Sequence, residues 1–302
     1  MSQSSIDLLK YPPEGFSIGI LREDQLDPLI SGNKFRKLKY HLEAFKKGRF
    51  KGLVTFGGAF SNHLLAVAAA GKKHGIDTIG LVRGEEWHNR IHASETLAQC
   101  QELGMQLHCI SRSQYATWTQ ESVHPEPFLE YLCIPEGGSN SLGVQGCTEI
   151  LGEHTKDFDV LCVCVGTGAT LAGVVQSCLP EQTPLGFLAL KHPHLRPQIR
   201  QWSGTNRFSI CGEYTFGGYG KISSELVVFM NQFYAQEQIP LDPIYTGKML
   251  FGIFDLIQKK QWPWGNRILV IHTGGLQGLR GMHKRLLGKN QAGFTYVDAL
   301  DF

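Results

Sequence analysis

The chain has 302 residues, 42% of them hydrophobic and 19% charged, enough to bury a sizeable core and too apolar for a disordered segment. Lysine and arginine number 29 against 27 acids, and the resulting net charge of +2 argues against a nucleic-acid or membrane-surface partner. The longest apolar runs, such as 64–71, fall far short of the roughly 20 residues of a spanning helix. The first residues show no basic segment followed by an apolar core, so a cytoplasmic location is expected.

In chain order the pattern is strand, glycine-rich turn, helix. The run 52–58 predicts a strand and 61–75 the helix after it. A second strand is predicted over 78–84, a helix over 92–104 and a strand over 105–110. The segment 131–138 leads to a helical stretch over 144–154, a strand over 159–166 and a helix over 170–179. Later strands are expected in 185–190, 208–214 and 267–275, and long amphipathic helices over 225–238 and 245–260. Short apolar strands without polar alternation belong to a sheet covered on both faces, and their alternation with helices predicts parallel β-α-β units, an α/β class. The number of strands suits two sheets and a cleft between them.

Eight cysteines, at 100, 109, 133, 147, 162, 164, 178 and 211, fall mostly inside apolar stretches and are expected to be buried free thiols. Cys162 and Cys164 alternate along a predicted strand and lack a second ligand pair. The twelve histidines show no His-Glu-x-x-His spacing, so no metal is expected.

Three junctions above all could carry chemistry. In Ser31-Gly32-Asn33-Lys34-Phe35-Arg36-Lys37-Leu38, Asn33 is a suitable N-cap, and Phe35, Leu38, Leu42 and Phe45 form one apolar helical face. Lys34 then sits in the first turn, where the helix dipole disfavours a positive charge and Arg36 and Lys37 add repulsion. Both effects favour the neutral amine, the form that attacks carbonyls, although a solvated basic helix start has the same composition. The turn Gly166-Thr167-Gly168-Ala169-Thr170 joins a strand to a helix, and its amides form an anion cradle suited to phosphate. It has neither a Walker lysine nor a dinucleotide fingerprint, and a tight structural turn is the alternative. Ser61 is the expected N-cap of the helix over 61–75, whose free Asn62 and His63 amides could hold a carboxylate, although an ordinary serine cap has the same pattern. Further glycine junctions occur at 136–143, 216–221, 245–248 and 272–275.

Taken together these motifs resemble the 1-aminocyclopropane-1-carboxylate deaminase and D-cysteine desulfhydrase family of pyridoxal-phosphate enzymes. The likeness runs through 21–34, 56–63, 134–143, 165–173, 245–248 and 272–275 in the expected order. It implies two open twisted α/β domains of the tryptophan synthase β-subunit type (fold type II), closing on the cofactor. The expected division is a large cofactor-binding domain, 1–36 and 145–302, and a small α/β domain, 37–144. The resemblance implies pyridoxal 5'-phosphate carried by Lys34, its ring oxygen held by Asn62 and its phosphate by Gly166, Thr167, Gly168, Ala169 and Thr170. It places Ser61, Asn62 and His63 at the substrate carboxylate, with Ser61 also close to the α-carbon. Tyr219 and Tyr245 are expected over the substrate and Thr246 and Thr273 near the pyridine nitrogen. A small amino-acid substrate and a homodimer are implied as well.

Two positions bear on the substrate. The ring-opening deaminases carry Glu and Leu where this chain has Thr246 and Thr273, the desulfhydrase pattern. A carboxylate keeps the ring nitrogen protonated and makes a strong electron sink, which ring opening needs and loss of a thiolate does not. The expected reaction is therefore α,β-elimination from D-cysteine. The alternatives are deamination of 1-aminocyclopropane-1-carboxylate and, in another class, a cofactor- or phosphate-binding protein without turnover.

Overall fold

The computed structural model describes residues 4–120, 124–190, 192 and 194–300. In chain order the strands are β1 (Ile6–Leu8), β2 (Ser17–Leu21), β3 (Gly52–Gly57), β4 (Asp77–Arg83), β5 (Gln106–Ile110), β6 (Leu132–Ile134), β7 (Val160–Val165), β8 (Thr183–Leu188), β9 (Ser209–Cys211) and β10 (Arg267–Ile271). The α-helices are α1 (Asn33–Lys47), α2 (Asn62–His74), α3 (Glu95–Glu102), α4 (Arg112–Gln120), α5 (Ser141–Cys147), α6 (Ala169–Ser177), α7 (Leu195–Ser203), α8 (Ser224–Glu237), α9 (Thr246–Gln258) and α10 (Leu279–Leu287). A large sheet has the order β1-β2-β10-β7-β8-β9 and a small one the order β5-β4-β3-β6. Every pairing is parallel except that of β1 with β2. The class is α/β, with two sheets as expected.

Strand β7 shows why both faces of the large sheet are covered. Val160, Cys162 and Cys164 enter one apolar cluster with Ile268, Val270 and α9, whereas Leu161, Val163 and Val165 enter another with Leu269, Ile271 and α6. A period of two in which both phases are apolar is the signature of a strand sandwiched by helices. The small sheet behaves alike: Leu53 and Val82 face the α2 side, Val54, Phe56 and Leu81 the Tyr115 side. All eight cysteines are free, and four of them are buried.

Two helices, α1 and α5, pack closely on each other, and α5 packs on α6. The expected domain boundaries at 36/37 and 144/145 fall inside α1 and α5. Both cuts pass through the helix pair that spans the two sheets. The differences from expectation are local. The N-cap of α1 is Gly32, and Asn33 is already helical. The expected helix over 144–154 instead begins at Ser141, where Asn140 accepts the Gly143 N–H at 3.0 Å. It ends at Cys147, with Thr148 as C-cap and its hydroxyl donating to the Gln145 carbonyl. The elements β1, β2, β6, α4, α7 and α10 have no counterpart among the elements expected from sequence.

Candidate active site

The carboxyl ends of the parallel strands in both sheets open onto one cleft of about 610 Å³, the place where α/β sheets bind ligands. Among the described residues its walls include Asn33, Lys34, Lys37, Ser61, Asn62, His63, Gly166, Thr167, Gly168, Thr170, Tyr219, Tyr245 and Thr273. Residues from six separate motifs are thus brought to one cavity.

Lys34 stands in the first turn of α1, and its Nζ donates to Asn33 Oδ1 at 2.9 Å. Its pKa falls from 10.5 to about 7, first because burial penalises the ammonium and then because Lys37 repels it. The helix end and its basic neighbours suggested the same direction; removal from water is the larger cause. Gly32, before it, has φ +65°, and a Cβ there would run into the Thr273 carbonyl oxygen, which the Asn33 N–H meets at 3.3 Å. Only glycine lets the 31–33 backbone lie against the 273–274 strand end. That contact fixes where α1 begins.

The Gly166–Thr170 turn leads into α6 with Gly168 as N-cap and no capping side chain, so the first amides of the helix point outward unsatisfied. Asn33 Nδ2 donates to Thr170 Oγ1 at 2.8 Å and ties the start of α1 to the start of α6. Ala169 is buried and contributes only its backbone amide to this end. Lys37, one turn beyond Lys34, is buried too; its Nζ donates to the Gly137 carbonyl at 3.0 Å and to Ser139 Oγ at 3.3 Å, and Ser139 meets Thr167. Burial lowers its pKa, since no carboxylate faces it. An anion in the turn would give that ammonium a partner.

Ser61 caps α2, its Oγ accepting the Leu64 N–H at 3.3 Å, and the Asn62 and His63 amides before it have no partner within the helix. The His63 ring turns away from solvent and bonds Thr55 Oγ1 at 2.9 Å through Nε2. Burial, reinforced by Lys34 and Lys37, keeps it neutral. Only its backbone faces the ligand end of α2. Asn62 lies beside Gly275, where an added Cβ would reach its Nδ2 at 3.1 Å.

Tyr245 is the N-cap of α9, and its ring lies over Gly166. Tyr219 stands edge-on to it with ring centroids 6.2 Å apart. Burial raises the pKa of both, so both are protonated phenols. Thr273 lines the cleft, but Thr246 does not: it is fully buried behind Cys164, with Oγ1 4.0 Å from Sγ. Cys164 Sγ lies 3.1 Å from Thr273 Oγ1 and is the group exposed to the cavity, while burial pushes its pKa up to about 12. The Asp242 carboxylate on this side accepts the Ile244, Tyr245 and Thr246 amides at 2.8–2.9 Å.

Asn33, Lys37 and Cys164 are among the cleft residues that sequence reasoning missed as site groups, as are Arg83, Arg112 and Glu136. Lys37 had a usable signal, since i+3 from Lys34 puts it on the same helix face. Cys164 shares a strand face with Cys162, and nothing in its own neighbourhood marks it as the one that reaches the cavity.

The donor set suits pyridoxal 5'-phosphate: an uncharged amine for the aldehyde, an uncapped helix end for the phosphate, and hydroxyl and thiol groups at Thr273 and Cys164. Over residues 15–274 the chain matches the family described as "Pyridoxal-phosphate dependent enzyme". It is 32% identical over 287 residues to a putative 1-aminocyclopropane-1-carboxylate deaminase of Pyrococcus horikoshii, covering 87% of this chain and 86% of that one. It is 28% identical over 306 residues to a D-cysteine desulfhydrase of Yersinia pestis, covering 90% of each. A crystal structure of an ACC deaminase homologue is similar with a TM-score of 0.77 at 28% identity, over 95% of this chain and 94% of that one.

Proposed function

Because this chain belongs to the pyridoxal-phosphate dependent enzymes, in the group of the 1-aminocyclopropane-1-carboxylate deaminases and D-cysteine desulfhydrases, we propose that it eliminates sulfide from D-cysteine. The balance is D-cysteine plus water giving pyruvate, ammonia and sulfide. When bound, the cofactor withdraws electrons from the substrate's α-carbon.

In this reading the amide ends of Ser61, Asn62 and His63 bind the substrate carboxylate and fix the face it presents. Lys34, with a pKa near 7, takes the α-proton as a neutral amine at working pH. Tyr219 and Tyr245, both protonated, supply hydrogen bonds toward the departing sulfur. Asn62 orients the cofactor ring, and the amides of Gly166 to Thr170, with Lys37 beside them, hold its phosphate. The homodimer, and the division into large and small domains, belong to the same reading.

The observation that favours D-cysteine is the hydroxyl–thiol pair at Thr273 and Cys164, with Thr246 behind it, where ring opening calls for a carboxylate. The carboxylate on that side, Asp242, has its oxygens taken by three amides leading into α9, those of Ile244, Tyr245 and Thr246. Sulfide release from D-cysteine by the purified holoprotein is the test. No sulfide from either cysteine enantiomer rejects the assignment, and 2-oxobutanoate from 1-aminocyclopropane-1-carboxylate replaces it with the deaminase reading.

A further inference from the structure

Lys248, the third residue of α9, is 2% exposed and among the described residues has no acidic partner within ion-pair distance. Its Nζ donates to three backbone carbonyls: Thr215 at 2.9 Å, Gly218 at 2.9 Å and Ala189 at 3.4 Å. An ammonium has three donors and no acceptor, so the three carbonyls satisfy it completely. A buried lysine without a carboxylate is nevertheless expensive, and an apolar side chain of the same length would cost less in this aromatic surrounding. Burial lowers its pKa to about 8, with Asp242 working against the shift, which leaves it charged at neutral pH.

The carbonyls belong to two segments that no strand pairing joins. Ala189 follows β8 and precedes Leu190, a cleft residue. Thr215 and Gly218 belong to the glycine-rich loop that carries Tyr219. That loop is held in an unusual shape: Phe216, Gly217, Gly218 and Gly220 have φ of 52°, 89°, 119° and 66°. Its backbone makes few internal bonds, Gly218 N–H to Thr215 and Lys221 N–H to Gly218. The Phe216 ring packs edge-on against Phe251, with centroids 5.1 Å apart, and anchors one end. The other anchor is Lys248, which holds the carbonyl of Gly218, the residue before Tyr219.

We infer that Lys248 is a positioning residue: its ammonium clasps the 215–219 loop to the end of β8 and so holds Tyr219 across the cleft. The clasp is a built-in cation in a carbonyl cage. It rests on Tyr219 acting over the substrate, but the clasp itself can be tested apart from any reaction.

The test is amide hydrogen exchange on the holoprotein with Lys248→Ala and Lys248→Met. Methionine fills the space without a charge; alanine leaves room for an ion. Exchange at 216–221 should rise about tenfold or more in both variants, while β7 and β10 remain as protected as in the wild type. Ammonium or potassium chloride should restore protection in Lys248→Ala and leave Lys248→Met loose. With D-cysteine the alanine variant should lose kcat more than KM and regain it with the same salts. Unchanged exchange at 216–221, loosening spread evenly over the large sheet, or loosening in Lys248→Ala that neither salt reverses overturns the inference. If neither variant folds, wild type labelled with 15N at lysine Nζ decides. Slowly exchanging ammonium protons near the Thr215 and Gly218 α-protons support the clasp, and their absence rejects it. A wild type silent toward D-cysteine but with these exchange results would sink the reaction and leave the clasp standing.

Discussion

Lys34 enters the cleft with a pKa of about 7, where a free lysine has 10.5. Between those values the unfolded chain binds the proton that the folded chain has lost, so this group makes stability rise with pH from about 7 to about 10.5. Below pH 7 both states are charged, and the folded one carries the full cost of a desolvated ammonium. In cofactor-free protein, Lys34→Met should therefore melt above wild type at pH 7, and the gap should narrow as pH climbs toward 10. Thermal melts across that range check it, and a constant gap would place the amine in solvent. Cofactor uptake has the same origin. Its rate should rise with the neutral-amine fraction and level off shortly above pH 7, with the yellow colour absent in Lys34→Ala. Lys37→Gln removes the second cause of the shift but not the first, so its inflection should move up and still stay well under 10.5.

At the scale of elements, α9 shows how a cap places a site. Asp242 accepts the Ile244, Tyr245 and Thr246 amides, the opening of the helix that carries Tyr245 into the cleft. Asp242→Ala should cost about 2 kcal/mol of stability, seen as a lower denaturant midpoint, and activity should fall further than the folded fraction because Tyr245 loses its footing. Much of this layer was legible in the sequence. Runs such as Val160–Val165 and Gly52–Gly57 are apolar in both phases and announce buried strands, and Ser61 announces the α2 cap. Strand β1 was not, since its three residues are half-buried or exposed, and β2 is short and interrupted by Gly19. The site reads similarly. Lys34 and the 166–170 turn are marked by local glycine and cap chemistry, whereas Cys164, Asn33 and the recessed place of Thr246 depend on how strands from distant parts of the chain lie side by side.

At the scale of the whole molecule, α1 packs on α5 and α5 on α6 between the two sheets, and the cleft opens beside the starts of α1 and α6. Gly146 on α5 faces the backbone of α1 directly. A Cβ there would strike the Arg36 carbonyl oxygen of α1, backbone against backbone, with no flexible side chain to give way. Arg36 itself cannot retreat freely: its guanidinium is buried with Glu23 at 2.8 Å and 2.9 Å. An added methyl must therefore push α1 off α5, and α1 carries both Lys34 and the Asn33 amide that reaches Thr170 of α6. Gly146→Ala should lower stability by about 1–3 kcal/mol. It should also weaken cofactor binding, because amine and phosphate cradle sit on helices that have moved apart. Gly212→Ala supplies the comparison: its Cβ would meet Leu188 Cδ1 at 3.5 Å, an ordinary contact, and both properties should stay near wild type. Equal cofactor affinity in the two alanine variants would mean that the spacing of α1 and α5 does not set the cleft.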